Sequence, residues 1–339
     1  MNKVVHFPYQ SHFLIFGGFE VQMLSAINAI NYFHSNEISI IKSDPWETNL
    51  KFDISHFWGL GFTNFDNIIW SKNKGKKIVM SVLVPFHNGF SDTIKSWFST
   101  KIGAIKYYNQ IFDKVDIFTV VSDEQKYSLS KFYNISFDKI VVIPNIINNV
   151  FFENSNKVLI NQYNLPENYI ISVGNICDRK NQLNTAIAAL ELNINAVFVG
   201  EFIDENTESS KKLLKLLKLN SQSLFHINKL SPNSLDLVSL INNSNGFVLP
   251  SYNETQPISL LEAAALNKPI VTSNRPFGYQ QPFNKTILVE PNSINSIKKG
   301  IEKMVKNSYN LNIDKNDLDQ FKDHSVAEKY LQVYNNLKK

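Results

Sequence analysis

Two glutamates lie eight residues apart, at the junction between a predicted strand and a predicted helix, in the segment Pro250-Ser-Tyr-Asn-Glu254-Thr-Gln-Pro-Ile-Ser-Leu-Leu-Glu262. A helix N-terminus between them attracts phosphate through its free N–H groups and its dipole. A carboxylate beside an anion site is unfavourable unless it accepts hydrogen bonds from hydroxyl groups. The pair therefore predicts a ligand with phosphates in the middle and polyhydroxy groups at both ends, such as a nucleotide sugar. The alternative is an ordinary helix whose early acid complements the dipole.

The flanking residues predict the elements that position these glutamates. The run from Gly246 to Leu249 is typical of a buried strand. Pro257 suits the first turn of a helix, where its missing N–H would have no partner in any case. The helix from Ile258 to Leu266 should end before Pro269, which is a normal exit signal. We therefore expect Glu254 on the loop and Glu262 on the second helical turn.

A second polar motif follows another predicted strand, in Ile170-Ile-Ser-Val-Gly174-Asn-Ile-Cys-Asp-Arg179-Lys180-Asn181. The strand should end at Gly174, and Asn181 is a favourable N-cap for the next helix. Arg179 and Lys180 would then lie at the carboxyl end of the strand, where cations can neutralise a diphosphate leaving group. The alternative is a solvated basic turn.

A pair of glycines, Gly17 and Gly18, precedes the first predicted helix, on which Ile27 and Ile30 share a face. Glycines at such a position let the backbone approach a phosphate closely. A plain glycine turn explains the pair equally well.

Length and composition limit the function classes. With 339 residues, the chain is long enough for two domains. A hydrophobic content of 43% and a charged content of 19% are typical of a globular protein rather than a disordered one. The single cysteine, Cys177, excludes a disulfide framework and a Cys-based zinc site, and fits a reducing cytosol. The net charge of +4 does not argue for nucleic acid, and we predict no signal peptide and no transmembrane segment.

Runs rich in Ile and Val alternate with helical patterns along the whole chain, which predicts βαβ units in two doubly wound parallel sheets, an α/β fold. The Pro/Asn cluster at residues 144–149 separates the two series of strands. The predicted strands are 4–7, 38–41, 53–56, 78–82, 117–121 and 140–143 in the first series, and 169–173, 194–199, 224–227, 246–249, 269–272 and 287–290 in the second. We expect the ligand outside the carboxyl ends of the strands, in a cleft between the two sheets.

The chain resembles the family 4 glycosyltransferases, retaining enzymes of the two-Rossmann GT-B architecture. The resemblance rests on five segments in the expected order: 17–20, 115–124, 139–145, 173–181 and 250–263. It implies an N-terminal Rossmann-like, acceptor-side domain at residues 1–147 and a C-terminal nucleotide-sugar-binding domain at residues 148–323. A helix at residues 324–339, with Tyr330, Leu331, Tyr334 and Leu337 at helical spacing, would pack back on the first domain.

The resemblance also implies a role for each matching residue. Glu262 would accept hydrogen bonds from the ribose hydroxyls. Glu254 would contact the donor sugar or stabilise charge at its anomeric centre. Lys180 and Arg179 would act with Glu254 as the catalytic set. The remaining predicted donor-binding residues are Gly17, Gly18, Gly174, Asn175, Thr255, Gln256, Pro257, Ile258 and, near the base, Ile227.

Two departures from the family pattern concern charged or titratable groups. Asn175 stands where the family often has Arg, so Arg179 would substitute or one phosphate-binding cation is lost. Leu83 stands where many members have a His, and His87 is either a displaced substitute or a surface residue. His56, which we place at a strand end, is either an acceptor-side residue or a structural one. Ser122 begins a helix and completes the acceptor-side set.

The resemblance implies transfer of a sugar from a nucleotide-diphosphate donor to a saccharide or lipid-linked acceptor, in cell-surface polysaccharide or glycolipid synthesis. The alternatives are a catalytically inactive binding or scaffold subunit, and a nucleotide-sugar epimerase or sugar phosphorylase on the same fold. We expect no cofactor, no metal and no nucleic acid. The basic and aromatic segment 94–108 predicts peripheral contact with the inner face of the membrane from the cytoplasm, or else an interior helix with solvated lysines.

Overall fold

The computed structural model describes residues 1–14, 16–59, 62–83, 108, 110–153, 161–306 and 315–337. The chain divides into two compact units. Unit 1 comprises Met1–Ile146 and Gln320–Lys339, and unit 2 comprises Ile147–Asp319. The first division falls between residues 146 and 147 rather than between 147 and 148, and the chain returns to unit 1 at residue 320 rather than 324.

Unit 1 contains a six-stranded, fully parallel sheet with the order β2-β1-β3-β4-β5-β6. Its strands pair on both sides of β1, where Val4 lies between Ile40 and Ile54. Most strand positions are buried, and most of the buried residues are Ile, Val or Phe, as expected for a sheet covered on both faces. The strands are β1 (Asn2–Phe7), β2 (Ile38–Lys42), β3 (Ile54–Trp58), β4 (Lys77–Ser81), β5 (Ile117–Val120) and β6 (Ile140–Val142).

Unit 2 contains a second fully parallel sheet of six strands, with the order β12-β11-β10-β7-β8-β9. All twelve predicted strands are present, and each predicted end lies within two residues of the observed one. The prediction of two doubly wound α/β sheets is confirmed. The strands are β7 (Ile170–Val173), β8 (Ala196–Val199), β9 (Leu224–Ile227), β10 (Gly246–Leu249), β11 (Ile270–Ser273) and β12 (Ile287–Val289).

The α-helices of the described residues follow the strands in both units. In unit 1 they are α1 (Gly18–His34), α2 (Phe65–Asn73), α3 (Asp123–Tyr133) and α10 (Asp323–Asn336). In unit 2 they are α4 (Val150–Glu153), α5 (Gln182–Glu191), α6 (Glu208–Leu219), α7 (Leu235–Asn243), α8 (Ile258–Ala265) and α9 (Ile294–Lys306). Short 3-10 turns occur at Phe62–Asn64, Phe137–Lys139, Asn161–Tyr163, Asp178–Lys180, Pro276–Tyr279, Phe283–Lys285 and Lys315–Phe321.

The C-terminal helix α10 is part of the core of unit 1. Its Tyr330 and Tyr334 are buried in one hydrophobic cluster with Ile27 and Ile30 of α1 and Val4 of β1. Burial of a large apolar side chain contributes roughly 1.5–3 kcal/mol of stability. The spacing of the apolar residues at the end of the chain therefore reflects the packing of α10 against α1.

Candidate functional site

The two motifs that the sequence singles out meet at one edge of the unit 2 sheet. Gly174 follows β7, and Pro250 follows β10. These strands are neighbours in the sheet, although the chain passes from β7 to β8 and β9 before it reaches β10. This reversal of strand order is a topological switch point, and open α/β sheets bind ligands outside the carboxyl ends of the strands at such points.

Glu254 lies between two cations at this switch point. Its Oε1 atom lies 2.6 Å from Nη1 of Arg179 and 3.1 Å from Nζ of Lys180. The Ser251 hydroxyl also donates to this carboxylate, at 3.2 Å. Burial raises the pKa of Glu254, but the adjacent Lys180 and Arg179 outweigh it, so the pKa is lowered overall. Glu254 is therefore ionised at neutral pH.

Backbone contacts between the two loops hold this cluster in place. Arg179 donates from Nη1 to the carbonyl of Asn253 at 2.8 Å, and the N–H of Tyr252 donates to the carbonyl of Arg179, also at 2.8 Å. Asn181 donates from Nδ2 to the carbonyls of Pro250 and Pro291. Asn181 is the N-cap residue of α5, as predicted, but its side chain makes no cap bond. The side chain instead joins this loop to the residues that follow β10 and β12.

Lys180 extends across Gly174, and this approach requires the glycine. A Cβ atom at Gly174 would lie 2.9 Å from Nζ and 3.0 Å from Cε of Lys180. The φ of Gly174 is +133°, which side-chain-bearing residues rarely adopt. The neighbouring carbonyl of Asn175 accepts a hydrogen bond from Nε2 of Gln182 at 3.1 Å. The loop is thus shaped to place the Lys180 ammonium group beside Glu254.

Glu262 lies on the second turn of α8, and its side chain is buried. Burial raises the pKa of Glu262 to about 7, and Lys180 opposes that shift. Lys180 therefore acts electrostatically on both glutamates, because it also forms an ion pair with Glu254. The two glutamates have similar sequence contexts but differ in the folded protein. Glu254 is an ionised carboxylate, whereas Glu262 titrates near neutral pH.

The N-terminus of α8 lies between the two glutamates in the chain. The first bonds of its helical ladder run from Leu260 and Leu261 to the carbonyl of Pro257. The N–H group of Ile258 precedes them, and an anion can use such a group. In the loop before the helix, Gln256 is buried and the carbonyl of Thr255 accepts a bond from Gln280.

Ile227 is the last residue of β9, and its carbonyl accepts a hydrogen bond from the N–H of Gly200 at 3.0 Å. Its proposed proximity to a nucleotide base stays a prediction.

Gly17 and Gly18 form the start of α1 in unit 1. The N–H of Gly17 donates to the carboxylate of Glu20 at 2.9 Å. A phosphate at this turn would therefore compete with Glu20 for that N–H. Gly18 has open space where a Cβ would be. Phosphate binding by this pair stays a prediction.

The placement of His56 at a strand end is wrong, because β3 continues to Trp58. The imidazole is fully buried, with Nδ1 2.7 Å from the Tyr334 hydroxyl and Nε2 2.8 Å from the Ser81 hydroxyl. Burial, and secondarily the neighbouring His6, lower its pKa well below the usual value. His56 therefore joins α10 to the unit 1 sheet and is not exposed to an acceptor.

The other acceptor-side predictions have different outcomes. Ser122 caps α3, where its hydroxyl accepts a bond from the N–H of Gln125 at 3.3 Å, and it is buried. Leu83 follows β4 and is half-buried. His87 and residues 94–107 of the predicted membrane-contact segment lie outside the described residues.

Sequence reasoning missed two supporting residues, Ser251 and Gly200. Ser251 is fully buried and orients Glu254. Gly200 has a φ of +144°, and a Cβ there would lie 2.3 Å from the carbonyl oxygen of Gly174. A signal for Gly200 exists, since each of the adjacent strands β7 and β8 is followed directly by a glycine.

Replacing Gly200 by Ala should lower the free energy of unfolding by about 2–4 kcal/mol, because the new Cβ meets backbone atoms and the φ is unfavourable. Urea unfolding at neutral pH measures the change. Gly75→Ala is the matched control: Gly75 also has a positive φ, +67°, but has no atom within 4 Å of the added Cβ. An equal loss in both variants would contradict a steric origin.

Within the described ranges, no three His, Cys, Asp or Glu side chains come together as a metal site would require. None of the helices that the structure describes combines the length and the apolar character of a membrane-spanning segment.

Comparison with known proteins finds a family match within the C-terminal half of the chain. Residues 155–320 match the family of glycosyl transferases group 1. A 122-residue segment is 30% identical to N,N'-diacetylbacillosaminyl-diphospho-undecaprenol alpha-1,3-N-acetylgalactosaminyltransferase of Campylobacter jejuni, covering 34% of this chain and 31% of the relative. The match therefore spans less than a third of that curated relative.

Solved structures match nearly the whole chain. A glycosyltransferase from Rickettsia africae ESF-5 has a TM-score of 0.72 at 16% identity, with coverage of 100% of this chain and 99% of its own. HepE of Anabaena, solved with UDP and glucose, has a TM-score of 0.70 at 12% identity, with coverage of 99% of both chains. Together with the two parallel six-stranded sheets, these likenesses show that the fold is GT-B.

Proposed function

We propose that the chain is a retaining glycosyltransferase, and the match of residues 155–320 to the family of glycosyl transferases group 1 supports this proposal. The enzyme would move a sugar from a nucleotide-diphosphate donor to a saccharide or lipid-linked saccharide. One observation carries the proposal: Arg179 and Lys180 converge on Glu254 at the switch point of unit 2, and Lys180 also acts on the buried Glu262.

The proposed chemistry is orientation and charge stabilisation. Charge that develops on the leaving diphosphate would be neutralised by Arg179 and Lys180 and by the free N–H groups at the start of α8. Glu254 would contact hydroxyls of the donor sugar and stabilise its oxocarbenium-like state. Positive charge for the diphosphate thus comes from the protein, so we propose a reaction that needs no cofactor or metal. Transfer rates that are equal with and without a chelator would agree with this, and loss of transfer would overturn it.

Glu262 suits the ribose end of the donor. A buried carboxylate is costly unless hydrogen-bond donors surround it, and two ribose hydroxyls can supply those donors. Replacing Glu262 by Ala should therefore weaken nucleotide binding. Unchanged affinity for every nucleotide tested would remove this assignment.

Two relatives suggest which substrates to test first. HepE was solved with UDP and glucose, and the Campylobacter relative is named for a diphospho-undecaprenol substrate. We therefore propose a UDP-sugar as the donor and a lipid-diphosphate-linked saccharide as the acceptor, with acceptor recognition assigned to unit 1. We also propose that the protein acts at the cytoplasmic face of a membrane. Co-sedimentation with anionic vesicles tests this part of the proposal, and failure to sediment would overturn it.

The test of the proposed function is a thermal-shift screen with UDP-, GDP-, ADP- and CMP-sugars, followed by a transfer assay with the donor that binds. A ligand at 100 times its Kd stabilises the native state by roughly 2.7 kcal/mol, which raises the Tm. NMR of the product would show whether the anomeric configuration is retained. The absence of a shift with all four classes would overturn the proposal.

A catalytically inactive binding subunit is the second candidate, favoured by Asn175 and Leu83 at positions where the family often has Arg and His. Donor binding without hydrolysis or transfer would support it. An epimerase or phosphorylase on the same fold would instead release an isomerised or phosphorylated sugar, which product analysis identifies.

A further inference from the structure

The two cations of the site are bound to a carboxylate of the protein. Arg179 and Lys180 both contact the same oxygen of Glu254, at 2.6 and 3.1 Å. The side chains of Glu254 and Lys180 are only 10% and 12% exposed, so solvent screens their attraction weakly. Glu254 therefore occupies the position around these cations that an incoming anion would need.

Two features make this contact reversible rather than permanent. Arg179 is 49% exposed and also donates to the carbonyl of Asn253, so it retains an acceptor when the Glu254 side chain moves. Glu254 lies on the loop before α8, where its own second anchor is the Ser251 hydroxyl. A diphosphate brings more negative charge than one carboxylate, so it can displace Glu254 from the cations.

We propose that Glu254 competes with the diphosphate of the donor for Arg179 and Lys180, and that this competition sets how tightly the site binds different diphosphates. The inference rests on the proposed function and extends it. A nucleotide sugar offers hydroxyl groups to the displaced carboxylate, which compensates for the lost ion pairs. A bare diphosphate offers no hydroxyls and meets an uncompensated negative charge.

This competition has a consequence for turnover. Once the sugar has been transferred, the diphosphate product no longer offers the hydroxyls of the donor sugar to Glu254. The carboxylate then returns to Arg179 and Lys180 and promotes product release. Glu254 would thus favour the intact donor over the diphosphate product, because it contacts the sugar of the donor and repels the product.

The test measures the binding of inorganic diphosphate, which needs no knowledge of the base or the sugar. Isothermal titration calorimetry compares the intact chain with Glu254→Gln, which keeps the shape and a hydrogen-bond acceptor but removes the charge. Diphosphate should bind the variant roughly tenfold tighter or more, because a nearby like charge has gone. Equal or weaker binding would overturn the inference.

Glu191→Gln is the matched control. Glu191 pairs with Lys298 at 2.7 Å on the same unit but lies at the end of α5, outside the two loops of the site. Its variant loses the same charge and should bind diphosphate as the unmodified chain does. A tenfold gain in this control as well would overturn the inference, because the effect would then be one of net charge.

The inference and the proposed function can fail separately. If Glu254→Gln binds diphosphate more tightly but the chain transfers no sugar, the competition stands and the proposed function falls. If the chain transfers sugar but the variant binds diphosphate no better, the competition falls. A thermal melt of the variant confirms that it is folded before either conclusion is drawn.

Discussion

Replacing Lys180 by Met should lower kcat/KM for sugar transfer by roughly 10²- to 10³-fold, which is typical when a group that stabilises transition-state charge is removed. Met keeps an unbranched side chain of similar length across Gly174, so the packing of the loop is preserved while the ammonium group is lost. The defect should appear mainly in kcat, because the charge on the leaving diphosphate increases in the transition state.

The matched control for this prediction is Lys298→Met. Lys298 also forms an ion pair with a glutamate, Glu191, but lies on α9 and contacts no residue of the site loops in the described ion pairs. Its variant should transfer sugar at the unmodified rate. A fall of less than about threefold for Lys180→Met would contradict the role assigned to this cation, since a lost charge contact costs far more.

Replacing Glu262 by Gln should stabilise the protein above neutral pH while weakening nucleotide binding. The pKa of Glu262 is raised by burial from 4.5 to about 7, so the folded state binds a proton that the unfolded state releases between these values. The stability of the unmodified chain therefore falls as the pH rises from 4.5 to 7, and the loss persists at higher pH. Above pH 7 the loss amounts to roughly 3 kcal/mol.

Gln carries no charge at any of these pH values, so the difference in stability between variant and unmodified chain should be near zero in mild acid and largest above neutrality. Urea unfolding at pH 5 and pH 8 measures it. The hydrogen bonds between ribose and an ionised carboxylate weaken with Gln, and nucleotide affinity should fall roughly tenfold or more. A variant that is less stable at pH 8 would contradict the assignment.

Glu254→Gln should change the free energy of unfolding in the opposite direction in the same experiment. The pKa of Glu254 is lowered overall by Lys180 and Arg179 against the effect of burial, so its charge stabilises the fold at neutral pH. That contribution is lost as the pH falls through the lowered pKa. At pH 8 the Glu254 variant should therefore be less stable than the unmodified chain, whereas the Glu262 variant should be more stable.

The order and type of the elements, and the loops that carry the chemistry, can be predicted from the sequence alone. Short runs of Ile and Val, separated by helical periodicity, define parallel strands covered on both faces, and such strands place the residues after Gly174 and Pro250 at the same kind of edge. These signals are local, because an element's period and its terminating residues lie within a few positions of one another. They were enough to locate Arg179, Lys180, Glu254 and Glu262.

The interactions between these residues, and the part that the other candidates take, follow from the folded structure and not from the sequence pattern. The reversal of strand order brings β7 beside β10, so Arg179 and Lys180 meet Glu254, which lies 75 and 74 residues further along the chain. Burial raises the pKa of Glu262, whereas Lys180 and Arg179 lower that of Glu254 against the effect of burial. His56 lies inside unit 1 against Tyr334 rather than at a strand end. Pairing, burial and electrostatic environment depend on contacts between distant segments, and no pattern of neighbouring residues specifies those contacts.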